Sequence, residues 1–109
     1  MTVGELSKIC GLSPLALPMP DREISGCYMG DLLSWVMGRA EADNAWITIM
    51  TNQNVIAVAS LADISAVILA EGVIPEEDIV TLAKNKGVNL LSSKAPAYET
   101  ATLLFSVLK

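Results

Sequence analysis

The chain has 109 residues, a length that suits one domain with its own hydrophobic core. Hydrophobic residues make up 52% of it and charged residues 17%, which excludes a disordered chain. The net charge of −5 disfavours nucleic acid and anionic membranes as partners, because both bind clustered Lys and Arg. So few charges leave apolar surface that a second copy would bury, and we therefore expect a homodimer.

The residues that usually carry catalysis are missing or have a structural explanation. Histidine is absent, which removes the commonest general base and metal ligand, and neither a P-loop nor a GxGxxG motif occurs. The acidic run 76–78 suits the first turn of a helix. The run 92–94, the nearest approach to a Ser–Lys pair, suits a helix start with a solvated lysine. We therefore expect a non-enzymatic protein with no catalytic, cofactor-binding or metal-binding residues.

The two cysteines and the amino-terminal segment bear on localisation. Cys10 and Cys27 lie in apolar stretches without CxxC spacing, which favours two reduced, buried thiols in a cytoplasmic protein. A redox-active pair stays open as the alternative, and it requires that the two thiols meet in space. Glu5 and Lys8 interrupt the first segment, so we expect neither a signal peptide nor a membrane span.

The first 42 residues predict two helices around an irregular segment. Thr2 and Glu5 have capping-box spacing, and the helix that they open should end at Gly11. Prolines in 14–20 leave room only for a brief strand, and 22–30 is predicted to be extended. Asp31 is expected to cap a second helix that runs to about residue 42. Its predicted core residues are Leu32, Leu33, Trp35, Val36, Met37 and Ala40.

The rest of the chain predicts strands alternating with helices. Residues 45–50 and 55–60 are β-branched and apolar, and the four-residue link between them favours antiparallel pairing, with another connection left open. A strand over 66–70 follows, then a helix from Pro75 to Gly87, and a strand over 88–91. The last helix is predicted over 96–108 with a buried stripe of Ala97, Ala101, Leu104, Phe105 and Leu108. The fold class is α/β, a small mixed, partly parallel sheet flanked by helices.

Two loops are candidates for a ligand or partner site. Ligands in open α/β sheets bind beyond the carboxyl ends of the strands. The loops at 60–63 and 70–72 are expected at such ends, and they place Ser60, Asp63, Glu71 and Gly72 in one possible pocket. The alternative is that both loops are turns whose polar residues cap neighbouring elements.

Three stretches carry a family resemblance: "GCYMGDLLSWVM", "AWITIMTNQNVIAVASLADISAVILAEG" and "IPEEDIVTLAKNKGVNLLSS". With them the chain, taken as one domain over 1–109, resembles the DRTGG domain, whose stand-alone members are often labelled serine kinases of HPr. The resemblance implies a fold like the amino-terminal domains of HPr kinase and Mur ligase, a regulatory role and no kinase activity. The Asp-Arg of the motif would fall near Ser60 and Leu61, and its Thr-Gly-Gly on residues 70–72, where only Gly72 matches.

These observations predict a non-catalytic, dimeric regulatory or binding module that senses a small ligand or binds a partner protein in metabolic regulation. One alternative is an accessory subunit of a larger metabolic or redox enzyme complex, with the apolar surface as its interface. A second alternative is a small phosphotransferase.

Overall fold

A computed structural model describes residues 1–108, which contain five helices and five strands. In chain order the elements are α1 (Val3–Ile9), β1 (Ser13–Ala16), β2 (Cys27–Met29), α2 (Leu33–Arg39), β3 (Ala45–Thr48), α3 (Gln53–Leu61), β4 (Ala66–Leu69), α4 (Glu77–Lys86), β5 (Leu90–Ser92) and α5 (Ala97–Val107). The strands form one sheet in the order β1-β5-β4-β3-β2, in which only β1 runs antiparallel to its neighbour. The predicted α/β class and mixed, partly parallel sheet are confirmed.

Helices cover both faces of the sheet. The three crossovers from β2 to β5 all step in the same direction, and right-handed connections then place α2, α3 and α4 on one face. Helices α1 and α5 cover the other face. Trp46 and Val67 point into the first layer of the core, whereas Ile47 and Ile68 point into the second. This two-sided burial explains why β3 and β4 are apolar along their whole length.

The predicted strand at 55–60 is wrong, because these residues belong to α3. Val55, Ile56 and Ala59 are buried at helical spacing while the residues between them are more exposed, and the Asn52 side chain caps the helix by accepting from the Asn54 N–H at 2.9 Å. The Asn-rich link is thus a helix start and not a hairpin turn. Strand β3 pairs in parallel with β4 instead, and it ends at Thr48, two residues earlier than predicted.

The second helix also departs from its prediction. Asp31 does not cap it, since its Oδ1 accepts from Thr48 Oγ1 at 2.7 Å and from the Ile49 N–H at 3.0 Å. Val36 is the one fully buried residue of α2, and Trp35 is half exposed with Arg39 stacked over its ring at 3.8 Å. Helix α2 lies over the edge of the sheet and so has a smaller apolar surface beneath it. Leu32 and Met37, also predicted in the core, are exposed too.

The other helix predictions hold better. The capping box of Thr2 and Glu5 is present, and Gly87 ends α4 in the left-handed conformation, φ +69°. Helix α5 buries Leu104 fully, but Phe105 is 79% exposed and its assignment to the core is wrong. A residue next to Leu104 on a helix turns by about 100°, which carries Phe105 off the sheet.

Asn89 provides the first test of this architecture. Its buried amide accepts from the Met19 N–H at 2.9 Å and donates to the carbonyls of Met19 at 2.8 Å and Ser65 at 3.0 Å. Asn89→Ala removes the acceptor of the Met19 N–H and the donor to the Ser65 carbonyl, whereas the Met19 carbonyl still accepts from the Arg22 N–H at 3.2 Å. We expect a loss of about 3 kcal/mol in the free energy of unfolding, measured in urea. The exposed Asn85→Ala should change it by less than about 0.5 kcal/mol. Equal effects of the two substitutions would contradict the assigned contacts.

Candidate functional site

Ser60 and Asp63 lie away from the carboxyl edge of the sheet. Ser60 is exposed in the last turn of α3, on a cleft of about 390 Å³ that Leu82 and Lys86 of α4 also line. Asp63, at φ +57°, precedes β4, and its carboxylate accepts from Arg22 Nη2 at 2.7 Å. The expectation that both residues follow a strand is wrong, because 53–61 is helical. Asp63 serves to join the amino-terminal segment to the amino end of the sheet.

Glu71 and Gly72 do follow a strand and contact the start of α5. The N–H of Glu71 donates to the Ala95 carbonyl at 2.8 Å, and the Gly72 N–H donates to the Ser93 carbonyl at 2.9 Å. The Glu71 carboxylate accepts from the Ala97 N–H at 2.7 Å, where it meets the positive end of α5. The candidate residues therefore form two pairs at opposite ends of β4, and the sheet separates them.

A crevice opens at this carboxyl edge beyond β4 and β5. From there β4 leads to α4 on one face and β5 leads to α5 on the other, the arrangement in which open α/β sheets bind ligands. The adjoining cleft, which we call the β5 cleft, has a volume of about 550 Å³. It is lined by Cys10, Gly11, Ser13, Ser92, Ser93, Lys94, Ala95, Glu99, Thr100 and Leu103.

Hydroxyl groups and one pair of opposite charges dominate the chemistry of the β5 cleft. Ser93 and Thr100 are buried and bond to each other, Oγ to Oγ1, at 2.8 Å. Lys94 and Glu99 are exposed and form no ion pair with any described residue. Across residues 1–108, no group of His, Cys, Asp and Glu is placed to hold a metal ion. With Lys94 and its hydroxyl-bearing residues, the cleft can offer a cation and hydroxyl donors to a polar ligand.

A second concave surface lies at the opposite edge of the sheet, and none of the sequence-based site predictions includes it. The β2–α5 groove has a volume of about 600 Å³ and is lined by Gly26, Cys27, Met29, Tyr98, Ala101, Thr102, Leu104, Phe105 and Leu108. Within residues 1–108 no charged side chain lines it. The signal in the sequence was the spacing of Tyr98 and Phe105, seven residues apart and thus on one helix face. The sequence-based prediction placed Phe105 in the core and did not include Tyr98.

The cysteines are free and far apart in the sheet. Cys10 is half-buried in the β5 cleft, beside the β1 edge, and Cys27 is on β2 at the other edge. The expectation that both are core residues is wrong, and the redox-active pair lacks the required proximity. Although Cys27 is exposed as a residue, desolvation of its thiol raises its pKa to about 11, and the same cause raises the pKa of Cys10.

Comparison with known proteins decides the family. The sequence model of the DRTGG domain matches residues 31–107. The chain belongs to the DRTGG domain family. The match begins at Asp31, so it covers the three helix–strand units from α2 to β5 together with α5, and it leaves α1, β1 and β2 outside it. A search of curated proteins found none that matches.

A solved structure extends the likeness to nearly the whole chain. It is described as the CBS and DRTGG domains of the regulatory region of Clostridium perfringens pyrophosphatase, complexed with the activator diadenosine tetraphosphate. The TM-score is 0.76 at 10% sequence identity, and the match covers 94% of this chain and 45% of that one. At this identity the likeness establishes the fold.

Among residues 1–108, no helix is both long and apolar enough to cross a membrane.

Glu71 tests the packing of the crevice. Glu71→Ala removes the acceptor of the Ala97 N–H, and we expect a loss of about 1 kcal/mol in the free energy of unfolding. Glu71→Gly loses the same acceptor but relieves the left-handed backbone at φ +65°, so it should lose less than the alanine variant. The matched control is the exposed Glu41→Ala, which changes the net charge equally and should leave stability within about 0.5 kcal/mol. A larger loss for the glycine variant would contradict this account.

The reactivity of Cys27 tests its surroundings. A pKa of about 11 leaves little thiolate at pH 8, so a Cys10→Ser variant should react with a thiol reagent about a hundredfold more slowly than a thiol of pKa 9.0. The rate should rise about tenfold per pH unit between pH 8 and 10, as the thiolate fraction rises. The same variant in denaturant provides the unhindered reference rate. A rate at pH 8 equal to that reference would show that the thiol is not desolvated.

Proposed function

We propose that this DRTGG domain is a non-catalytic regulatory module that works as a homodimer and senses a small ligand in the β5 cleft. The observation that carries the proposal is the position of the cleft, at the carboxyl end of β5 and next to the crevice where β4 and β5 lead to opposite faces. The match to the regulatory region of a pyrophosphatase that is complexed with a dinucleotide activator supports a nucleotide as the ligand.

The chemistry of the cleft supports the same class of ligand. Lys94 offers an ammonium group for a phosphate, and the exposed Ser13 together with Ser92 adds hydroxyl donors. Glu99 offers a carboxylate that can accept from ribose hydroxyls. Because the cleft carries the negative Glu99 as well as the positive Lys94, it disfavours a ligand whose only polar groups are phosphates. Gly72, whose N–H bonds to the Ser93 carbonyl, ties the floor of the crevice to the loop that holds Lys94.

One alternative retains support from a specific observation. An accessory subunit of a larger metabolic or redox complex would use an uncharged apolar surface as its interface, and the β2–α5 groove is such a surface. No arrangement of side chains in residues 1–108 favours the small phosphotransferase. The comparisons identify a DRTGG domain and no catalytic domain in this chain.

A thermal-shift assay tests the proposed ligand class. With AMP, ATP and diadenosine tetraphosphate each at 1 mM, at least one should raise the Tm by about 10 °C. A ligand at about 100 times its Kd stabilises by about 2.7 kcal/mol, and each kcal/mol raises the Tm of a domain of this size by about 4 °C. Lys94→Gln should abolish most of the shift. The control Lys84→Gln, an exposed position on α4, should retain it. No shift with any nucleotide, or an equal shift in both variants, would contradict a nucleotide in the β5 cleft.

A further inference from the structure

The two edges of the sheet are protected to very different degrees. At one edge, β1 contains Pro14 and a register shift between Pro14 and Ala16, both of which hinder pairing with another strand. At the other edge, β2 reads Cys27-Tyr28-Met29, without proline, charge or bulge. Monomeric proteins usually block such an edge, because unpaired backbone groups there bind other strands. The edge of β2, three residues long, lacks the devices found on β1 and is therefore free to pair with another strand.

The free backbone groups of β2 can be assigned. Gly26 O accepts from the Ala45 N–H at 3.0 Å, and the Gly30 N–H donates to the Ile47 carbonyl at 3.1 Å, so the even-numbered residues face β3. The N–H and C=O groups of Cys27 and Met29 consequently point away from the sheet. In an antiparallel pair of two β2 strands, Cys27 of each copy lies opposite Met29 of the other, and four backbone hydrogen bonds form around a two-fold axis at Tyr28.

The side chains beside this edge have the composition of an interface. Met29 is 52% exposed, and Tyr98 and Phe105 are each 79% exposed. The two aromatic residues alone leave on the order of 300 Å² accessible. With Met29 and the rest of the β2–α5 groove, the patch reaches the size that marks interaction sites, and its surroundings can complete the roughly 800 Å² per partner of a stable interface. Aromatic and Met side chains are enriched in such interfaces.

The distribution of charge indicates which partner binds at the β2–α5 groove. The chain carries a net charge of −5, yet within residues 1–108 no acidic side chain lines the groove. A basic partner would be attracted to acidic groups, which this surface lacks, whereas two acidic copies can approach here without repulsion. We infer that the β2 edge and the β2–α5 groove bind a second copy of this chain, which extends the sheet across a two-fold axis. The inference rests on the proposed homodimer and names its surface.

Light scattering after size exclusion, from about 1 to 200 µM, tests the surface. The wild-type chain should reach twice its mass of 11.6 kDa. Phe105→Lys and Met29→Lys should each weaken the dimer more than about thirtyfold, the effect expected for central interface residues. The matched control is Ile74→Lys, an apolar position that is 86% exposed outside the groove, and it should dimerise like the wild type. Circular dichroism verifies that each variant is folded.

The outcomes separate this inference from the proposed function. Monomeric lysine variants beside a dimeric control support the surface. A dimer that persists in both variants overturns it and leaves the homodimer standing on another surface. A wild-type chain that is monomeric at 200 µM overturns both the surface and the homodimer. In that case the nucleotide shift and its dependence on Lys94 still decide the ligand.

Discussion

The burial of β3 and β4 on both faces is the constraint from which the rest of the structure follows. Trp46 and Ile47, neighbours in the chain, fill opposite layers of the core, so neither face can meet water. The three crossovers cover only one face, and the other depends on α1 and α5. Helix α5 must therefore leave β5 toward the second face and cross to β2 and β3. Because α5 lies on the other face from α4, a crevice opens at the start of α5, beyond β4 and β5. The β2–α5 groove lies along the side of the same helix.

The sequence predicted correctly those helix ends that depend on hydrogen bonds between residues close in the chain. The capping box at Thr2 and the left-handed Gly87 identified the ends of α1 and α4 because their hydrogen bonds involve near neighbours. Helix α3 was mistaken for a strand because its β-branched residues favour strands, while its burial on one face depends on the sheet beneath it. Phe105 was assigned to the core as part of an apolar stripe at helical spacing, and Trp35 on its apolar character. Their exposure follows from positions at the edge of the sheet, which no local pattern encodes.

The candidate site was predicted in part for the same reason. Glu71 and Gly72 follow a true strand, and their place at the carboxyl edge follows from the strand itself. Ser60 and Asp63 depended on the mistaken strand and so moved to α3 and to the amino end of β4. In the proposed function, α5 serves both surfaces: its first turn borders the β5 cleft through Thr100, and its outer face carries Tyr98 and Phe105. Ligand and partner would then act on one rigid element.

Amide hydrogen exchange of β2 tests the central claim, that the bare edge of this module pairs with a second copy, most directly. At a protein concentration of several hundred micromolar, the account predicts that the amides of Cys27 and Met29 exchange about as slowly as that of Tyr28, which faces β3. Dilution to low micromolar concentration should release the two odd-numbered amides and leave Tyr28 protected. Exchange of Cys27 and Met29 at the free-peptide rate at every concentration, with Tyr28 protected throughout, would contradict it.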